Sequence, residues 1–121
     1  MAITSAIPTS FKQEILVGTH NFTATSGNTF KLALYTSSAT LGASTTAFTT
    51  TGQASGTNYT SGGSNLTSVT PTTSGTTAVC DFSDLTFGTA TVTARGCLIF
   101  NSSASNKACA VIDFGGDKTS T

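Results

Sequence analysis

At 121 residues the chain has room for one hydrophobic core and none for a second, since a polypeptide of this size buries roughly two-thirds of its unfolded surface. Five bases and five acids make up 8% of the residues, where about a quarter is usual, and this excludes the clustered Lys and Arg that displace counterions from nucleic acid. So weakly charged a surface suits a subunit surrounded by copies and partners.

Lys12, Lys31, Arg95, Lys107 and Lys118 stand singly along the chain. No apolar stretch reaches the roughly 18 residues of a membrane span, and "MAITSAIPTS" has neither the basic nor the apolar region of a secretion leader, so cytoplasmic synthesis is expected. Three cysteines without a Cys-x-x-Cys spacing favour neither a disulfide framework nor a zinc site. Serine and threonine form about a third of the chain, which fits either a disordered mucin-like segment or strands with Thr on the wet face. Disorder requires few apolar residues, whereas 37% of these are hydrophobic and fall in strand-length runs, so the β reading prevails.

In chain order, the first predicted element is a short helix at about residues 10–18. Ser10 as N-cap and Gln13 make a capping box, Phe11, Ile15 and Leu16 form an apolar stripe, and Gly18 supplies the left-handed C′ position. In "NTFKLALYTSS", Phe30, Leu32 and Leu34 alternate with Lys31, Ala33 and Tyr35, the pattern of a strand. From 39 to 71, short β fragments around Phe48, Tyr59 and residues 66–69 are separated by Gly, Ser and Asn, and are expected to be exposed strands and long loops. A second block places Ala78, Cys80 and Phe82 on one face, then Val92, Ala94, Gly96, Leu98 and Phe100. "NSSASNK" closes a hairpin into a strand whose Ala108, Ala110, Ile112 and Phe114 point inward. Together these predict a mainly β protein: a single antiparallel β-sandwich domain over residues 1–121, jelly-roll-like or Ig-like, with an N-terminal arm and one short N-terminal α-helix.

Alternation puts Arg95, the one arginine, on the face with Thr93, Cys97 and Ile99, diagonal to Asp113, with Asp81 and Asp84 as competing partners. An ion pair within the fold or at a subunit contact is the reading, since no second cation or helix N-terminus nearby makes an anion site. The same register sets Cys97 roughly opposite Cys109. Both are expected as packing thiols, the alternative being a bond closed after release from the cell, while Cys80 stays apart.

His20, the one histidine, follows the helix and is expected to be solvent-exposed or backbone-bonded. Asp81 and Asp84 fall on opposite faces of a strand, and Asp113 and Asp117 flank a Gly-Gly turn better suited to solvent than to a cation. The Asn-x-Ser/Thr triplets at Asn21, Asn58, Asn65 and Asn101 follow from composition. No nucleophile elbow, zinc-protease signature or P-loop appears, so no catalytic, cofactor-binding or metal site, and no cofactor, is expected.

The strings "FKQEILVGTH", "TFKLALYTSSATLGASTTAF", "SGTNYTSGG", "TARGCLIFNSS" and "NKACAVIDFGGDK" resemble a family of small β-rich virion proteins of tailed bacteriophages, over nearly the whole chain. The resemblance implies a structural component of the particle and designates no active site. It departs at Cys97 and Cys109, where those proteins carry small residues or valine, and after "DFGGDK", where they run into one more apolar strand. Either that final strand is dispensable, or its slot is filled by a neighbouring subunit through strand donation.

The function expected is a non-enzymatic capsid decoration or cement protein that binds the outer shell, through the major capsid protein or other virion proteins, and stabilises it as a trimer. The segment from Thr36 to Thr70 is the expected contact surface and the N-terminal arm with its helix the expected anchor. A tail, neck or fibre-tip component is the alternative, and an enzyme acting on host-surface glycan a third. No direct partner in nucleic acid or membrane is expected.

Overall fold

The computed structural model describes residues 2–121. In chain order the elements are α1 (Thr9–Leu16), β1 (Phe30–Tyr35), β2 (Gly56–Thr57), β3 (Ser64–Asn65), β4 (Ser68–Ser74), β5 (Thr77–Phe82), β6 (Thr91–Asn101) and β7 (Lys107–Ser120). The architecture is mainly β, antiparallel and sandwich-like, with one short helix among the described residues. β6 is the spine. β7 runs along one of its edges, β1 and β2 lie end to end along the other, and β3 pairs with the outer side of β1. β4 and β5 form a separate two-stranded sheet.

The expected hairpin between β6 and β7 is present. Residues 102–106 connect them, and Ser105 and Asn106 turn the chain with φ of 54° and 58°, a conformation asparagine tolerates better than most residues.

β1 alternates as predicted, but both of its faces are buried. Ala33 and Tyr35 join Ile3, Leu41, Leu98 and Phe100 on one side, and Leu34 joins Ala54, Tyr59 and Cys97 on the other. The Thr/Ser-rich stretch, expected as exposed strands and long loops, supplies much of the cover: Ala39, Leu41, Ala54 and Tyr59 are buried, and Phe48 stacks on Phe100 with ring centroids 4.8 Å apart. Small side chains let this segment lie flat on the sheet, and its polar groups complete bonds that the short β3 leaves open. The Leu34 N–H donates to the Tyr59 hydroxyl (2.8 Å), the Leu34 carbonyl accepts from the Ala54 N–H (2.9 Å), and the Tyr35 hydroxyl donates to the Thr49 carbonyl (2.6 Å).

Three expectations are corrected. First, a bulge between Ala94 and Gly96 inverts the alternation of β6, so Val92 and Ala94 share a core with Cys97, while Leu98 and Phe100 face the other way. A second irregularity, between Ile99 and Phe100, leaves Ala108, Cys109 and Val111 buried and Ile112 42% exposed. Second, Ser10 does not cap the helix. Pro8 holds the N-cap position, because residues 3–6 arrive as extended chain bridged to Leu41 and Val111, and the φ of Pro8 suits the turn into the helix. The arm is therefore stitched to the domain, with Ile3 in the core. Third, Leu16 is 84% exposed, so the stripe on α1 stops at Ile15. The helix end conforms to expectation: Gly18 (φ 77°) donates to the Ile15 carbonyl and Thr19 to the Glu14 carbonyl, a Schellman arrangement.

Candidate functional site

β4 and β5 stand away from the main sheet, and most of their residues are exposed. The inner side of this hairpin carries Ala78, Cys80 and Phe82, the face predicted from alternation, together with Pro71. It overhangs a floor of Ile99, Cys109 and Ala110 from β6 and β7, with Ile7, Phe11 and Ile15 as the far wall. The space enclosed is an open groove of about 540 Å³ whose lining side chains are apolar throughout. Three rings fix the base of the hairpin. Phe22 stacks on Phe30 (4.2 Å, 7°), and Phe82 tilts onto both at 6.1 and 5.8 Å. The Ala24 N–H donates to the Thr70 hydroxyl at 3.0 Å.

Beside the groove lies a buried polar network centred on His20, which is neither exposed nor backbone-bonded as expected. Its Nε2 lies 2.9 Å from Glu14 Oε1, and Lys107 Nζ sits 3.9 Å from the other carboxylate oxygen. Asn101, wholly buried, donates through Nδ2 to His20 Nδ1 (3.0 Å) and to Asn28 Oδ1 (3.0 Å), and accepts the Ser103 N–H on Oδ1 (3.0 Å). These partners fix the amide orientation, so Nδ1 accepts and the ring proton sits on Nε2, pointing at Glu14. Phe11 covers the imidazole at 4.8 Å.

Cys109 Sγ lies 3.8 Å from the same Nδ1 and 3.7 Å from the Lys107 carbonyl. Thiol, imidazole and carboxylate thus stand in the order nucleophile, base, orienter. The arrangement is not activated. Burial pushes the Cys109 thiol up to about 12, with repulsion from Glu14 and Cys80 adding to it, and Nδ1 already accepts the Asn101 amide. At rest the network is a polar clamp joining α1, the 20–28 loop and the β6–β7 hairpin.

The other thiols are free as well. Cys97 lies opposite Ile112, not Cys109, and belongs to the core that contains Leu34 and Tyr59, where burial raises it to about 11. The expected juxtaposition of Cys97 and Cys109 is thereby overturned, because the irregularities of β6 and β7 shift the register. Cys80, expected to stand apart, instead faces the groove with Cys109; burial raises its pKa, and neighbouring Asp81 raises it further.

Arg95 takes Asp113 as its partner, with Nε 3.4 Å from Oδ1. The distance is that of an ion pair, but Nε has no aligned hydrogen bond, and both side chains are about a third exposed, so the pair contributes little. Asp81 is exposed and accepts its neighbour's N–H. Asp113 accepts the Gly115 N–H, and the Gly-Gly segment bows out of β7 before the strand resumes at Lys118 opposite Ala94. Among the described residues no three His, Cys, Asp or Glu groups converge to hold a metal ion, and no helix is long and apolar enough to cross a membrane.

No family model matches the chain, and comparison with curated proteins and with solved structures found no similar one.

Proposed function

We propose that this chain is a non-enzymatic structural subunit of a bacteriophage virion, a capsid decoration protein that binds the outer shell beside the major capsid protein and stabilises it as a trimer. The observation that carries the assembly part is the groove: a nearly uncharged protein presents about 540 Å³ of open space with an apolar lining. Ile7 and Ile15 on its rim are half exposed, and Leu16 and Val17 follow Ile15 uncovered. Monomers rarely leave a contiguous apolar surface of this kind in water, whereas a subunit covered by copies or partners needs one. A closed ring repeats each modest contact, so weak individual interfaces add through effective concentration. The virion assignment draws on the resemblance of the strand and turn strings to small particle proteins.

Stoichiometry tests the proposal. Quantitative gel densitometry of purified particles is expected to find hundreds of copies, on the order of the shell subunits; a handful or a dozen assigns the chain to the tail, neck or fibre tip instead.

A further inference from the structure

Two of the three thiols look into one groove from different elements. Cys80 is exposed on β5, and Cys109 lies in the floor on β7. Both side chains line the same groove, and a Cys80 thiolate would oppose ionisation of Cys109. The strand that carries Cys80 is exposed along most of its length. Its ladder with β4 is interrupted between Val69 and Thr72, the stretch that faces Cys80, and the hairpin is tied at its base through Phe82 and Thr70. A small inclination of the hairpin lowers its apolar inner side, Ala78, Cys80 and Pro71, onto Ile99 and Ala110, which shelters side chains now facing water.

We infer that Cys80 and Cys109 form a reversible disulfide that draws the β4–β5 hairpin down on the sheet and closes the groove. The oxidant is a small-molecule disulfide of the glutathione class. The Cys80 thiolate attacks one sulfur of that disulfide, giving a mixed disulfide on Cys80 and releasing one small thiol. Cys109, giving up its proton to water, then attacks the Cys80 sulfur; the protein disulfide forms, and the second small thiolate leaves and takes up a proton. In sum, two protein thiols are oxidised and one small disulfide is reduced to two thiols. A reducing compartment keeps the groove open, and an oxidising one shuts it. Cys97 takes no part, being enclosed in the other cluster opposite Ile112. The inference holds whatever particle or partner the subunit serves.

The test treats the folded full-length protein with oxidised glutathione and reads it by intact mass, non-reducing peptide mapping and binding of an apolar-surface dye. The expected product has lost two hydrogen atoms, carries one bond between the Cys80 and Cys109 peptides, and binds several-fold less dye; a dithiol reverses all three changes. Cys109→Ser should halt at a glutathione adduct on Cys80, and Cys80→Ser, at an exposed position that does not affect folding, should form no bond at all. A stable Cys80 adduct in the unaltered protein, a bond to Cys97, or a linked product with unchanged dye binding would each overturn the inference.

Discussion

Asn101 is wholly buried at the end of β6, where an apolar side chain would be the ordinary choice, and its amide satisfies His20, Asn28 and the Ser103 N–H together. Asn101→Ala withdraws its amide from all three, which leaves the Ser103 N–H to solvent, Asn28 Oδ1 with the Asn21 N–H alone and the buried His20 Nδ1 with only the distant Cys109 thiol. We expect a loss of about 3 kcal/mol in urea unfolding, well beyond the cost of a surface asparagine. Three buried acidic groups, neutral when protonated, govern the alkaline limit. Burial holds the Cys97 thiol at about 11, the Cys109 thiol at about 12 and the Tyr35 phenol at about 12. Folded values above the unfolded ones mean that the folded chain keeps protons the unfolded chain gives up. Their stabilisation is complete below about pH 9 and is lost as the pH rises towards 12. Each group costs about 1.4 kcal/mol per pH unit within its own window, so melting temperatures should be level near neutrality and fall steeply beyond pH 9 to 10.

At the scale of elements, α1 has no buried residue and is held by its ends: Pro8 at the start, Glu14 on His20 and Gly18 at the close. Gly63 serves β3 in a comparable way. Its φ is 76°, and a Cβ there would collide with the backbone carbonyl of Leu32, so Gly63→Ala should cost about 3 kcal/mol, measured by chemical denaturation. The hairpin differs, since its two strands bury little against the main sheet. Replacing residues 69–81 with a tight turn should leave a single cooperative unfolding transition with a midpoint shifted by only a few degrees, while apolar dye binding disappears. Strand identities, the β6–β7 hairpin and the Gly18 terminus were legible because each depends on local alternation or one backbone conformation. The partition of β6 was not, because one residue at Arg95 reverses the parity of everything after it, and pairing across a bulge is decided by the partner strand. Nor was the His20 network: Glu14, His20 and Asn101 are brought together by tertiary packing, and the sequence marks only an asparagine ending an apolar run. The groove escaped notice for the same reason, since alternation placed Cys80 and Phe82 on one face but not at a distance from their floor.

For the molecule as a whole, a near-absence of charge and an uncovered apolar groove are two sides of one property. The Thr- and Ser-rich stretches lie over both faces of the β6 sheet, which frees the hairpin side to meet another surface. On the proposed reading, association buries what the fold itself leaves open. Light scattering of the purified, reduced protein across a concentration series measures that directly. The account predicts a stable species of three times the 12.1 kDa chain mass. A monomer that persists at the highest soluble concentration would contradict it.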